Sequence, residues 1–255
     1  MHAAPEIVLT LIGIGTGNPQ HLTVQAINAL NRCELILIPR KGADKADLAD
    51  MRRTICALHV DKPARLAEFD LPVRDSSAQC YLAGVHDWHT AIAAAWTREI
   101  TAHLPAGGRA ALLVWGDPCL YDSSLRIAQL LQTAGMALRV EVIPGLSSIQ
   151  LLTAAHAIAL NTLAEPILIT TGRQLRDTGW PAGLQTVVVM LDGACAFETL
   201  APEQLHIYWA AYLGMPNQLL LAGPLAATGP QILKVRAEAR QQHGWIMDIY
   251  LIRRV

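Results

Sequence analysis

The sequence predicts an α/β protein, and two observations support that class. Short apolar runs rich in β-branched residues alternate along the chain with segments whose apolar residues recur at helical spacing. Hydrophobic residues make up 52% of the 255 residues and charged residues only 16%, which favours sheets that are buried on both faces. No repeat, low-complexity tract or long linker interrupts this order.

The first half opens with a strand, a glycine-rich turn, a helix and a second strand within about 30 residues. This is a βαβ unit, which we expect to be parallel and right-handed. The elements predicted for this half are, in order, a strand at residues 7–12, a helix at 22–30, a strand at 35–38, a helix at 45–58, a helix at 88–103, a strand at 110–115, a helix at 124–134 and a strand at 140–143.

The second half continues the alternation, and its last apolar run predicts a central or paired strand. Its predicted elements are a helix at residues 147–156 and strands at 167–170, 186–191, 207–212 and 246–253. Length and loop composition predict two domains, residues 1–120 and 121–255, divided after the loop 116–121.

Composition excludes several classes of protein. The formal net charge of −1 argues against a nucleic-acid binder. The longest apolar runs, residues 110–115 and 187–191, are far shorter than the about 20 residues that span a bilayer. Residues 1–6 do not resemble a secretory signal. The five cysteines are scattered without a C-x-x-C pair, so we expect a cytoplasmic protein without a metal site or disulfide framework.

Three loops at predicted strand ends carry residues that are typical of ligand sites. They are residues 13–17 (GIGTG), 116–118 (GDP) and 144–148 (PGLSS). Glycine lets the backbone approach a ligand closely, and ligands of open α/β sheets bind at the carboxyl ends of strands. Each loop taken alone is explained equally by a tight turn or a helix cap.

A dinucleotide site fits the glycine loop poorly. Asn18 occupies the place of the last glycine in the dinucleotide fingerprint, and the second strand ends in Pro39 and Arg40 rather than in an acidic residue. Arg40 suits only a 2′-phosphate, so an NADP-dependent oxidoreductase stays as the alternative from a different class.

The order of the three loops, followed by a strand that ends in VVVM at residues 187–190, resembles the tetrapyrrole methylase family. These are the class III S-adenosylmethionine-dependent methyltransferases, and the resemblance covers about residues 7–253. Residues 11–23 (LIGIGTGNPQHLT) and 36–48 (ILIPRKGADKADL) look most like the family member that acts in the aerobic cobalamin pathway.

The resemblance implies two α/β domains with S-adenosylmethionine bound in a trough between them and S-adenosylhomocysteine as the product. Thr16 stands where many members have proline, and residues 210–214 lack the common Asn-Gly pair. The positions that match the family's cofactor contacts are Thr16, Trp115, Gly116, Asp117, Leu120, Ser147, Ser148, Met190, Ala211 and Gly214.

The implied reaction is methylation of ring carbon 1 of precorrin-5 with release of acetate, by a homodimer that needs no metal. Arg40, Lys41 and Lys45 follow the second strand and are predicted to bind substrate carboxylates. Arg52 and Arg53 come next, and a solvated helix face explains either of them equally well.

Water attack on the acetyl group needs a general base, and the sequence leaves its identity open. His86 and His89 lie three residues apart, which places them on one helical face, although a capped helix start with exposed histidines explains them too. Tyr121 and His21 lie inside the loops whose motifs carry the resemblance, and they are rival bases.

Three other functions stay open. Another member of the family, such as a precorrin-2 methylase or a diphthine synthase, would use the same cofactor without releasing acetate. An NADP-dependent oxidoreductase would bind a nicotinamide cofactor. A corrinoid carrier would bind the macrocycle without affinity for S-adenosylmethionine.

Overall fold

The computed structural model describes residues 6–40, 46–61, 64–73 and 81–255. Its residues form two compact units, each with its own sheet. The first unit contains the described residues up to Gly15 and those from Pro19 to Leu146, and the second contains Thr16–Asn18 and Ser147–Val255. This division falls later in the chain than the predicted one at residue 120, because residues 124–143 supply a helix and an edge strand of the first unit.

The elements of the first unit match most of the predicted order. They are β1 (Ile7–Gly13), a short 3-10 helix (Pro19–His21), α1 (Val24–Leu30), β2 (Leu35–Arg40), α2 (Ala46–His59), β3 (Arg65–Asp70), α3 (Tyr81–His103), β4 (Gly108–Val114), α4 (Ser124–Thr133) and β5 (Leu138–Ile143). The strand β3 was not predicted, because three of its six residues are charged and exposed, which makes it resemble a surface segment.

The first sheet is parallel in all its described pairings, with the strand order β3-β2-β4-β1-β5. The prediction of a parallel β1–α1–β2 unit is confirmed, but β4 lies between the two strands. Every residue of β1 is buried. Helices cover both faces: α1 and α2 pack on one face, and α3 and α4 pack on the other. This double burial explains the low content of charged residues.

The second unit contains a mixed sheet. Its elements are α5 (Ser148–Ala155), β6 (Ile167–Thr171), α6 (Gly172–Thr178), β7 (Thr186–Met190), a 3-10 helix (Ala196–Thr199), β8 (Leu205–Ala211), β9 (Leu219–Pro224), α7 (Leu225–His243) and β10 (Asp248–Arg254). The strand order is β6-β7-β10-β8-β9, and β10 runs antiparallel to both of its neighbours. The predicted central position of the last strand is confirmed.

Three elements of the second unit, α6, β9 and α7, were not predicted. Gly229 and Pro230 lie inside α7, where they resemble the end of a helix rather than its interior. None of the helices in the described ranges combines the length and the apolar character that crossing a bilayer requires.

Candidate active site

The first two loops are joined by backbone hydrogen bonds at the carboxyl edge of the first sheet. The Gly116 amide donates to the Gly15 carbonyl at 2.7 Å, and the Gly15 amide donates to the Gly116 carbonyl at 3.4 Å. Both glycines have positive φ, +71° and +70°, which a residue with a side chain rarely adopts. A Cβ added to Gly116 would meet no atom within 4 Å, so this bridge faces open space.

The third loop packs against the same bridge without room for side chains. A Cβ on Gly145 would lie 2.4 Å from the Gly116 carbonyl oxygen and 2.6 Å from the Gly13 carbonyl carbon. A Cβ on Gly13 would lie 2.5 Å from the Gly145 amide nitrogen. Since all of these neighbours are backbone atoms, glycine at both positions is what allows the ends of β1, β4 and β5 to meet.

Asp117 fixes the relation between the second and third loops. Its Oδ1 accepts from the Cys119 amide at 2.8 Å, and its Oδ2 accepts from the Gly145 amide at 2.9 Å. Both carboxylate oxygens therefore satisfy backbone donors. Asp117 shapes the site through the backbone of its neighbours, which explains why a carboxylate follows β4.

The two apolar positions beside this loop are partly buried. Trp115 packs against the core cluster beneath α1 and α2, and its Nε1 is buried without a hydrogen-bond partner among the described residues. Leu120 is half-buried and its amide donates to the Asp117 carbonyl at 3.3 Å.

Of the four candidate bases, His21 lies beside Gly15 in the bridged loops. The side chain of His21 would lie 3.1 Å from a Cβ built on Gly15, and burial lowers the pKa of His21. Tyr121 follows the Asp117 loop with φ of +50° and a side chain that is 43% exposed.

His86 and His89 lie in α3, but they do not share one environment. His86 is exposed and its Nδ1 lies 3.4 Å from the Thr90 hydroxyl, whereas His89 is only 8% exposed, with its ring centroid 5.6 Å from that of Trp88. Helical spacing of three residues rotates one side chain by about 60° from the other, enough to separate solvent from core.

The predicted substrate cation Arg40 is already paired with acidic residues of β3. Its guanidinium donates to the Asp70 carboxylate at 3.0 Å and lies 3.9 Å from Glu68. Lys41 and Lys45 lie outside the described residues. Arg40 would thus have to exchange an existing partner to bind a substrate carboxylate.

In the second unit, the paired serines occupy the start of α5. Ser147 is buried and caps the helix: its hydroxyl accepts from the Ile149 amide at 3.2 Å, and its amide donates to Gln150 Oε1 at 3.0 Å. The Ser148 hydroxyl is half-buried and has no partner among the described residues. The cap therefore accounts for Ser147, and Ser148 is the serine with a hydroxyl free for a ligand.

The remaining predicted cofactor contacts lie at one edge of the second sheet. Met190 ends β7 and Ala211 ends β8, and these strands flank the first residues of β10. The Thr16 hydroxyl is buried and donates to the Leu213 carbonyl at 2.7 Å, a hydrogen bond within the second unit. Gly214 follows with φ of +79°, and its amide donates to Gln218 Oε1 at 2.9 Å.

Comparison with known proteins identifies the family. The model of the Tetrapyrrole (Corrin/Porphyrin) Methylases matches residues 8–228. The chain belongs to the tetrapyrrole methylase family. Among the described residues no group of His, Cys, Asp and Glu could hold a metal ion.

One relative in this family covers nearly the whole chain, and a second covers about half of it. A precorrin-6A synthase [deacetylating] from Sinorhizobium sp is 47% identical over 248 residues, 96% of this chain and 95% of that protein. A precorrin-2 C(20)-methyltransferase from the same source is 32% identical over 54% of each chain.

Solved structures of tetrapyrrole methylases share the fold. The crystal structure of a cobalamin synthesis related protein (CobF) from Corynebacterium diphtheriae superposes with a TM-score of 0.84 at 36% identity, covering 98% of this chain and 99% of that one. A uroporphyrin-III C-methyltransferase from Thermus thermophilus, complexed with S-adenosylhomocysteine, has a TM-score of 0.64 at 18% identity and covers 96% of each chain. The two-sheet α/β architecture predicted from the sequence is confirmed.

Proposed function

We propose that this chain is a precorrin-6A synthase: an S-adenosylmethionine-dependent methyltransferase that methylates ring carbon 1 of precorrin-5 and releases acetate to give precorrin-6A. The observation that carries the proposal is the open space at Gly116, where three glycine-containing loops of a tetrapyrrole methylase meet at the carboxyl edge of the sheet. The 47% identity to the deacetylating synthase, against 32% over half the chain for the C(20)-methyltransferase, favours this reaction over other members of the family.

The residues present fit the cofactor. The backbone at Gly116 leaves room that a side chain would fill, and the Ser148 hydroxyl is available as a polar contact at the start of α5. When bound, S-adenosylmethionine supplies an electrophilic methyl group carried by a sulfonium. In our proposal the cofactor contacts are Gly116, Trp115, Leu120, Ser148, Met190, Ala211 and Gly214, while Asp117, Ser147 and Thr16 hold their own loops in shape.

The protein's largest contribution to methyl transfer is alignment. Holding the nucleophilic carbon, the methyl group and the sulfur in line can lower the activation barrier by as much as about 7–11 kcal/mol. The rigid backbone contacts among Gly13, Gly116 and Gly145 suit that task, because none of these atoms can move without the strands that carry them.

The deacetylation step needs a base, and we propose His21 for it. Water adds to the acetyl ketone as His21 takes its proton. The bond from ring carbon 1 to the acetyl carbon then breaks and acetate leaves. The electron pair of the broken bond remains in the macrocycle, which becomes the nucleophile for the methyl group. Burial lowers the pKa of His21, so the imidazole is neutral and able to accept a proton at neutral pH.

Turnover is expected to release one acetate for each methyl group transferred. The measurement is mass spectrometry of the tetrapyrrole product together with an enzymatic assay of free acetate. A product that has gained methyl and lost acetyl supports the proposal. A methylated product that keeps its acetyl group would place the chain among the other tetrapyrrole methylases, and failure to consume S-adenosylmethionine would reject the methyltransferase.

Replacing His21 with glutamine is expected to lower the rate of acetate release roughly 100-fold, within the range that a general base contributes. Affinity for S-adenosylhomocysteine should stay within about twofold. Because burial lowers the pKa of this imidazole below 6.5, the wild-type rate should hold down to that pH and fall only in more acidic solution. The matched control is His86→Gln on the exposed face of α3; a loss confined to that variant would move the base to α3.

We also propose that the protein is a cytoplasmic homodimer: the resemblance implies the dimer, and the scattered cysteines favour the cytoplasm. Size-exclusion chromatography with light scattering tests the oligomeric state, and a monomer at micromolar concentration would overturn it.

A further inference from the structure

Arg52 is a buried cation on the second helix of the first unit. Arg52 is only 9% exposed. Its Nε donates to the Leu113 carbonyl at 3.0 Å, and its Nη1 donates to the Leu48 carbonyl at 2.9 Å. Both partners are neutral. A guanidinium that is buried without a carboxylate partner is uncommon, because burying an uncompensated charge costs several kcal/mol.

The guanidinium lies where two neighbouring strands of the sheet separate. Pairing between β2 and β4 extends only from Leu35–Ala110 to Leu37–Leu112. Beyond that point β2 continues beside β3 as far as Arg40, and β4 continues beside β1 as far as Val114. Leu113, whose carbonyl accepts from Arg52, is the first β4 residue beyond this pairing.

The chain leaves these two strands toward opposite faces of the sheet. Residues of α2, which follows β2, pack in the core cluster with Ile36 and Leu113. Residues of α4, which follows β4, pack in the cluster with Leu37 and Leu112. Where the chain leaves two adjacent strands toward opposite faces of a sheet, a crevice forms at their carboxyl ends, and open α/β sheets bind ligands in that crevice. Arg52 lies at this crevice.

The neighbouring arginines are neutralised and Arg52 is not. Arg40 is paired with Asp70, and Arg53 is paired with Glu68 at 2.7 Å and with Asp50. Among the described residues no carboxylate lies within salt-bridge distance of Arg52, although Asp122 acts on it at longer range. The Nη2 nitrogen has no hydrogen-bond partner in the described ranges, and Arg52 as a whole keeps 9% of its surface exposed. Burial lowers the pKa of Arg52 to about 10, so the group remains a cation at neutral pH.

We propose that Arg52 binds a ligand carboxylate through its Nη1–Nη2 edge, whose remaining N–H groups match the two oxygens of a carboxylate. This inference rests on the proposed function, which offers two sources of that group: the amino-acid carboxylate of S-adenosylmethionine and a side-chain carboxylate of the tetrapyrrole. Arg52 then supplies the charged contact that Arg40 could supply only by giving up Asp70.

The test measures the binding of three probes to wild-type protein and to Arg52→Met and Arg52→Lys variants by calorimetry. The probes are S-adenosylhomocysteine, 5′-methylthioadenosine, which lacks the amino-acid carboxylate, and uroporphyrin III, a stable tetrapyrrole polycarboxylate. Arg53→Gln, one residue away and paired with acidic residues, is the matched control and should bind all three probes as wild type does.

The pattern of loss identifies the carboxylate. At least tenfold weaker S-adenosylhomocysteine binding to Arg52→Met, with 5′-methylthioadenosine unchanged, assigns the cofactor's carboxylate. At least tenfold weaker uroporphyrin binding, with both nucleosides unchanged, assigns the tetrapyrrole's. Equal weakening of all three probes, or no change in any, would overturn the proposal and leave Arg52 as a structural cap of Leu113.

The lysine variant is the control that distinguishes loss of ligand contacts from loss of folding. Arg52→Lys keeps the positive charge but loses the paired N–H groups, so it should show the same ligand-selective loss to a smaller degree. Ligand binding by this variant should become tighter as the salt concentration falls. Circular dichroism confirms that each variant is folded before titration. If wild-type protein binds no S-adenosylhomocysteine, the proposed function fails, and that result is distinct from a failure of the Arg52 assignment.

Discussion

Replacing Gly116 with leucine is expected to weaken S-adenosylhomocysteine binding at least about 1,000-fold, equivalent to about 4 kcal/mol. A Cβ at this position meets no protein atom within 4 Å, so the leucine side chain would extend into the space that we assign to the cofactor. Isothermal titration calorimetry measures the loss, and circular dichroism establishes that the variant is folded.

Gly116→Ala separates occlusion from backbone strain. Both variants force a side chain into φ of +70°, which costs roughly 1–2 kcal/mol of folding stability, but alanine adds only one carbon to the open space. We expect the alanine variant to bind at least tenfold more tightly than the leucine variant. Undiminished binding by Gly116→Leu would refute the assignment of the cofactor to this loop.

Replacing Gly145 with alanine is expected to destabilise the first unit by about 3 kcal/mol or more, at the upper end of the cost of overpacking. The added methyl group would lie 2.4 Å from the Gly116 carbonyl oxygen and 2.7 Å from the Gly13 Cα. Because both atoms belong to backbone at the ends of buried parallel strands, relief requires the strands themselves to shift. Thermal unfolding should report a fall in Tm of roughly 5–10 °C.

Gly193→Ala is the matched control for this prediction. Gly193 has no neighbour within 4 Å of a built Cβ and does not adopt a positive φ, so alanine there should change stability by about 0.5 kcal/mol or less. If Gly145→Ala is as stable as the control, the three loops do not pack as tightly as their backbone distances indicate.

The sequence by itself determined the α/β class, most of the elements and the three loops of the site. Apolar runs in β1, β4 and β7 are buried on both faces of their sheets, so their composition alone identifies them. Glycine, aspartate and proline at strand ends are likewise local signals. The strand β3 and the helix α7 escaped detection because their local signals, charged residues in one and Gly229-Pro230 in the other, favour loops, and tertiary packing overrides them.

Only the tertiary structure decided what each residue in those loops does. Asp117, Ser147 and Thr16 matched cofactor positions by sequence, yet their side chains bond to protein groups, since a buried polar atom must find a partner and the nearest donors or carbonyls belong to the chain itself. Arg40 and Arg52 are equivalent cations in the sequence. They differ because the sheet places Asp70 directly opposite Arg40 on the adjacent strand, whereas α2 turns Arg52 inward to a carbonyl at the point where β2 and β4 separate. Strand register and helix orientation depend on contacts between residues distant in the chain, which local patterns do not contain.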